Sequence, residues 1–248
     1  DNILLLFDVR ADPASASTLT DVFMPNPDRS LYVDENHFSA GYNNSDLRAD
    51  LSERFSGTDW VWGEWNGDRS VDPGTGAEDQ DIHGEFVAGD TLAPVEFAAL
   101  VAGSTAYTLQ TPSANPGHAS AIIVGASAFA TVEGTANLTV NIPGGGVTPT
   151  WSGVFALDNT VGDSLDVTIT SSSISPNGHL DASTVSSYAL HYGGYTYGTP
   201  SSVDMTGNLV GPGTGANPIT GAIGSGRFTH STPNPVEVNL TYGTDLVP

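Results

Sequence analysis

The chain contains no cysteine and no lysine. Without cysteine there can be no disulfide framework, thiolate metal centre, cysteine nucleophile or haem attached through paired thiols. Every basic residue is an arginine (Arg10, Arg29, Arg48, Arg54, Arg69 and Arg227), and the six stand against 28 acidic residues for a formal net charge of −22. Such a charge repels nucleic acid and anionic membrane surfaces, so neither nucleic-acid binding nor membrane insertion is expected. It favours solubility and divalent cations, and its plainest reading is the solvated acidic surface of a salt-adapted organism. An apolar run of about 18 residues, a basic leader and an initiating Met are also missing. The expectation is a mature chain, its signal peptide already removed, that works extracellularly or at a bacterial cell surface.

Helical periodicity is scarce as well. One short helix is expected at Pro94 to Gly103, where Pro94 suits a first turn, Glu96 suits the positive helix end and Gly103 a stop. What the chain has instead is 29 glycines, 16 prolines and short runs of Val, Thr, Ile and Tyr, the composition of many strands joined by turns. Strands are predicted near 104–110, 120–132, 135–142, 151–157, 164–171, 186–192, 203–210, 221–229 and 236–242. Apolar residues alternate with polar ones at Leu138, Val140 and Ile142, at Leu165, Val167 and Ile169, and at Val236, Val238 and Leu240. Sheets with one buried and one wet face produce that pattern, as in a sandwich or an up-and-down barrel.

Residues 1–90 differ in texture. They hold Trp60, Trp62 and Trp65, five of the six arginines and most of the acidic loops. Strands are expected near 18–24, 31–40, 47–55, 59–65 and 82–88, with a loop from Asn66 to Gln80. No flexible linker separates this part from the rest. It is therefore read as a β-rich N-terminal extension packed on a barrel of residues 91–248. The most apolar stretch is Ile3-Leu4-Leu5-Leu6-Phe7-Asp8-Val9. As a strand it would show Ile3, Leu5, Phe7 and Val9 on one face and Leu4 and Leu6 on the other, so both faces want cover. The barrel region has strands enough to close without it. The segment must pair inside the first ninety residues or leave the subunit, and departure is the expectation carried forward.

The segments Gly134-Thr-Ala-Asn-Leu-Thr-Val140, Trp151-Ser-Gly-Val-Phe155, Gly207-Asn-Leu-Val-Gly-Pro-Gly213 and Gly221-Ala-Ile-Gly224 resemble the transferrin-binding-protein-like β-barrel family. In that family a strand running to a Gly-Pro turn, followed by a Gly-rich strand, closes an eight-stranded barrel. Upstream, Trp62-Gly-Glu-Trp65 and His83-Gly-Glu-Phe-Val-Ala-Gly89 resemble the region before such barrels in FecR-domain surface proteins. The resemblance spans about residues 60 to 245. It implies an all-β fold, an antiparallel eight-stranded barrel preceded by a β-rich extension and one short helix, on a secreted or surface-exposed Gram-negative protein. Transferrin binding is not implied, because the family's host-binding loops and lipid-anchoring cysteine are not recognisable here.

Few residues are arranged for chemistry. His37, His83, His118, His179, His191 and His230 are scattered without a close pair, which speaks against a zinc centre. The sequence has no Gly-x-Ser-x-Gly elbow, and Gly74-Thr-Gly76 and Gly144-Gly-Gly146 lack the Lys or helix of a phosphate cradle. Enzymatic activity is not expected. The acidic loop carrying Asp68, Asp72, Glu78, Asp79 and Asp81 is a candidate Ca²⁺ site, since hard cations take several carboxylate and carbonyl oxygens from a flexible loop. Trp60, Trp62 and Trp65 with Tyr192, Tyr195 and Tyr197 are a candidate ligand platform for stacking sugar rings, against the plainer reading of strand-pair packing. Gly193-Gly194 between tyrosine-bearing strands reads as a hairpin. Asn137-Leu-Thr139 and Asn239-Leu-Thr241 are candidate glycosylation sequons.

Two functions follow. In the first, the chain is an extracellular structural protein whose N-terminal strand (Ile3, Leu4, Leu5, Leu6, Phe7 and Val9) inserts into a neighbour's sheet and builds a homopolymeric filament or surface array. In the second, it is a monomeric secreted or surface-attached module that binds a glycan, haem or a host protein on its barrel loops. A glycan hydrolase built on paired carboxylates trails both.

Overall fold

In a computed structural model, residues 2–9, 30–33, 37–42, 45–71, 80–125 and 128–248 are described; side chains are described for 54–64, 85–125 and 128–248. Six strands form the first sheet: β1 (Asn2–Val9), β2 (Ser30–Val33), β3 (His37–Tyr42), β4 (Ser45–Ser56), β5 (Trp60–Val71) and β6 (Gln80–Asp90), in the order β1-β6-β5-β4-β3-β2. Helix α1 (Pro94–Ala102) leads to the second sheet. It comprises β7 (Tyr107–Gln110), β8 (Gly117–Val124), β9 (Phe129–Ile142), β10 (Thr150–Asp158), β11 (Ser164–Ser173), β12 (Ser187–Tyr192), β13 (Tyr195–Tyr197), β14 (Ser202–Val210), β15 (Gly221–His230) and β16 (Val236–Asp245). These ten strands make one curled antiparallel sheet in the order β13-β12-β11-β10-β9-β8-β16-β15-β14, with β7 paired to β9.

The fold is the all-β architecture expected, with a half-barrel at its centre. Its eight long strands are β8 to β12 and β14 to β16; β7 and β13 are short additions. At one margin the chain between β11 and β12 reaches β14, where Leu180 N–H donates to Gly207 O at 2.9 Å and Ala182 exchanges backbone hydrogen bonds with Met205 at 3.0 Å. The alternation read from sequence is the core pattern: Leu138, Val140, Ile142, Leu165, Val167, Ile169, Val236, Val238 and Leu240 all point inward. They pack with Trp151, Phe155, Phe228, Tyr197 and Tyr242, so side chains fill the interior of the curl.

Local chemistry accounts for the boundaries. Pro94 opens α1, Glu96 Oε2 accepts the Ala93 N–H at 2.9 Å, and Phe97 is the face it buries. The Tyr192-Gly193-Gly194-Tyr195 hairpin forms as read: both glycines have positive φ (58° and 81°) and Tyr192 pairs with Tyr195. Two expectations change. The run expected as one strand at 120–132 is divided between β8 and β9, which pair with each other, Val124 opposite Phe129. The loop expected from Asn66 to Gln80 is strand as far as Val71, because β4 is long enough to pair β5 out to Ser45↔Val71, and strand again from Gln80; residues 72–79 lie outside the described residues. The strand predicted at 18–24 lies outside the described residues.

β1 corrects the expectation that the N-terminal strand leaves the subunit. It runs antiparallel to β6 of its own chain, from Asn2↔Asp90 to Val9↔His83, at one end of the first sheet. The physical reason is a partner the sequence reading undervalued. Phe86-Val-Ala-Gly-Asp90 supplies eight residues of uninterrupted ladder together with His83 to Glu85, and its other edge is already held by β5.

Candidate functional site

The first sheet lies against one wall of the half-barrel, and the seam between them is the most polar buried region described. β8 is covered on both sides: Ala119, Ala121 and Ile123 join the barrel core, while His118, Ser120 and Ile122 point outward and are buried all the same. β15 and β16 behave likewise, with Ile223 and Thr241 on the covered face. From the first sheet Trp60, Trp62 and Val87 pack with Val210 and Ile223 as a second apolar cluster. Gly243 leaves the space that the ring of Trp60 fills.

Glu85, on β6, is 4% exposed within this seam. Its Oε2 accepts the Thr241 hydroxyl at 2.8 Å and its Oε1 is in hydrogen-bond contact with Ser120 Oγ. Thr241 Oγ1 in turn accepts the Trp62 indole N–H at 2.9 Å, and Ser120 Oγ lies 3.3 Å from Val132 O. No ion pair reaches Glu85 among the described residues. Burial pushes its carboxyl up to about 7; the two hydroxyl bonds oppose the shift, and the charges of Glu133 and Glu64 add to it. Along the same strand as Ser120, His118 is 8% exposed. Phe55 stacks on its ring at 3.9 Å, Trp62 meets it edge-on at 4.1 Å, and its Nε2 has no hydrogen-bond partner. Burial pushes this imidazole down to about 4. At the other end of the seam Asp245 accepts the Trp60 indole N–H at 3.0 Å and the Thr58 N–H at 2.9 Å, while Thr220 donates to Asp59.

This arrangement clamps two sheets. A substrate cannot reach Glu85, so its raised pKa serves no accessible acid or base chemistry.

Among the described residues, nothing covers the opposite wall. On β9, β10, β11 and β12 the outward residues form cross-strand rows: Asn137, Val154, Thr168 and Ser187 in one, Thr135, Ala156, Asp166 and Ala189 in the next. Val154 at its centre is 47% exposed. These two rows are neutral apart from Asp166 and present hydroxyl, amide and small apolar groups; the row beyond them carries the exposed acids Glu133 and Asp158.

The residues singled out from sequence are distributed differently from expectation. Trp60 and Trp62 are buried in the seam, Trp62 at 1% exposure, because their large apolar faces are what joins the two sheets. Tyr197 is buried beside His230, with ring centroids 5.2 Å apart. Tyr192 donates its hydroxyl to Ala128 O at 2.7 Å, and Tyr195 is 51% exposed at the hairpin tip. Trp65 sits opposite Gly84 in the ladder, and its side chain lies outside the description. The six aromatics thus do not share one exposed platform. Of the candidate Ca²⁺ ligands, Asp68 and Asp81 are direct ladder partners on β5 and β6; Asp72, Glu78 and Asp79 lie outside the described residues. Asn137 is exposed, and Asn239 is half-buried with its Nδ2 donating to Glu237 at 3.2 Å. Sequence reading gave no role to Ser120, met His118 only among scattered histidines, Glu85 only within the His83–Gly89 segment and Thr241 only within a sequon, and did not bring the four together. The available signal was polar residues inside runs that are otherwise apolar on both phases, such as His118-Ala-Ser-Ala-Ile-Ile-Val124.

Fold and seam define an all-β protein in which a curled antiparallel half-barrel carries a second sheet on one wall. No protein-family profile matches the chain, and no curated protein matches it. Seven chains of solved structures do. One is a mutant of the vaccine antigen Transferrin Binding Protein B from Haemophilus parasuis Hp5, at 12% identity and a TM-score of 0.44. The match covers 100% of this chain and 45% of that one, so the present chain spans less than half of that protein's length.

Proposed function

We propose that the chain is a non-enzymatic binding module, secreted or held at a bacterial surface, that engages a macromolecular partner on the uncovered wall and loop ends of its half-barrel. The observation that carries this reading is the filled interior: Trp151, Phe155, Phe228, Tyr197 and Tyr242 occupy the curl, where lipocalin-like barrels keep a cavity for a small ligand. Recognition is then left to the outside. One wall is occupied by the first sheet, and the rows through Asn137, Val154 and Thr168 are free. A strongly acidic chain keeps such a module soluble and disfavours nucleic acid and anionic lipid as partners. A host protein or a glycan at a cell surface is the class of partner this surface suits. Pairing of β1 within its own chain supports this reading over the homopolymeric one.

The test uses the intact chain and a Val154→Arg, Thr168→Arg variant, which changes two outward neighbours on adjacent strands. Both are applied to a glycan array and to immobilised host extracellular proteins, with sizing by light scattering. A monomer that binds one of these surfaces, and a folded variant that does not, is the expected result. Polymerisation of the intact chain, failure to bind either surface, or binding unaffected by the variant would overturn it.

A further inference from the structure

We propose that the seam between the two sheets holds a compensating pair, Glu85 carrying its proton and His118 carrying none, which keeps the first sheet docked over a broad acidic-to-neutral range. Hydrogen-bond bookkeeping within the seam supports the first half. The Trp62 N–H donates to Thr241 Oγ1, whose own proton goes to Glu85 Oε2. A protonated Glu85 can then donate to Ser120 Oγ, leaving the Ser120 proton for Val132 O. Every donor has an acceptor in that arrangement. An ionised Glu85 would instead be a buried charge facing two hydroxyls and no cation. The second half rests on the buried, unpartnered Nε2 of His118, which has no oxygen acceptor for the second N–H of an imidazolium; the rings of Phe55 and Trp62 offer it only the weaker cation–π attraction.

The charged groups around the pair reinforce this. β5 brings Glu64, the ladder partner of Glu85, which is paired with Arg54 of β4 at 2.5 Å. β9 brings Glu133, opposite Ser120. β16 brings Thr241 against Glu85 and Gly243 opposite His118, neither titratable, and β1 pairs Phe7 with Glu85. The charges that act on Glu85, those of Glu133 and Glu64, are both acidic and disfavour its ionisation, while Arg54 is taken up by Glu64 and His83 lies two residues before Glu85 on β6.

The two groups pull in opposite directions with pH. Glu85 has a docked value of about 7 against an ordinary 4.5, so docking it favours is fully present below 4.5 and is lost as pH rises towards 7. His118 has a docked value of about 4 against an ordinary 6.5, so docking it favours is present above 6.5 and lost as pH falls towards 4. Between about pH 4.5 and 6.5 the two slopes, each about tenfold in the opening equilibrium per pH unit, cancel.

The experiment is amide hydrogen exchange on the intact chain, following residues 60–64 and 85–90 with β10 and β11 as internal reference, corrected for intrinsic exchange. Wild type should show seam opening that varies less than about threefold from pH 4.5 to 6.5. Glu85→Gln unmasks His118, and opening should rise about 80-fold as pH falls from 6.5 to 4. His118→Phe unmasks Glu85, and opening should rise about 80-fold as pH increases from 4.5 to 7. The variants report independently, so failure of one to fold leaves the other decisive. A strong pH slope in wild type, or a variant as flat as wild type, overturns the proposal.

Discussion

The indole nitrogen of Trp62 and the hydroxyl of Thr241, 179 residues apart in sequence, meet at 2.9 Å across the seam. Thr241 accepts from the tryptophan and donates to Glu85, so one hydroxyl of the second sheet holds two strands of the first. Thr241→Val keeps the shape and removes the hydroxyl, leaving the buried Trp62 N–H without a partner and Glu85 with Ser120 alone. The expected loss is about 2–4 kcal/mol in urea unfolding followed by tryptophan fluorescence. Thr241→Ser retains the hydroxyl and should recover most of it. Equal losses in both variants would place the effect in packing instead.

Gly243 makes a different kind of contact with the same seam. A Cβ there would run into the six-membered ring of Trp60, and Trp60 is fixed through its bond to Asp245. Gly243→Ala should therefore cost about 1–3 kcal/mol by overpacking. It should also shift the Trp60 indole proton resonance as the Asp245 bond lengthens, while Trp151 on the far side of the barrel stays put. An unshifted Trp60 resonance would show that the sheets can part at no cost.

These seam residues mark where sequence reading reached its limit. The alternation at Leu138, Val140 and Ile142 reports one buried face and one wet face, and β9 is built that way. β8 has no alternation to read, since both its faces are buried, and its Ala-Ser-Ala-Ile-Ile-Val run merged in sequence with the start of β9. What covers its outer face is a sheet from the first ninety residues, and no local period encodes that contact. Trp60 and Trp62 likewise looked like a surface platform because aromatic spacing is the same whether the ring meets a sugar or another sheet. The hairpin at Gly193-Gly194, by contrast, was fully legible, because its chemistry is confined to two residues.

The placement of β1 leads to a sharper expectation for truncation. In an antiparallel ladder alternate residues of a strand bond one neighbour and those between bond the other. β6 lies between β1 and β5. Removing residues 2–9 should therefore speed exchange at alternate amides from Gly84 to Gly89 and spare those bonded to β5. The half-barrel, with its own core, should keep its protection. Uniform loss across β6, or no loss at all, would contradict pairing of β1 within its own chain.

Inside the half-barrel, His230 gives acid sensitivity of its own. Its Nε2 lies 2.9 Å from the Tyr188 hydroxyl, with the rings of Tyr188 and Tyr197 each 5.2 Å away. Burial lowers its pKa below the ordinary histidine value. A lowered value in the folded state means that the stability contributed by neutral His230 is present above the unfolded value and is lost as pH falls through the folded one. The cleanest background is the Glu85→Gln, His118→Phe pair, in which neither of those two seam groups titrates. There, unfolding free energy measured in urea at successive pH values should still fall on acidification. Adding His230→Gln, which keeps a hydrogen-bonding group near Tyr188 and cannot gain the charge, should flatten that fall. An unchanged slope would mean that the barrel admits water to His230 before it unfolds, and that the filled interior is looser than its packing implies.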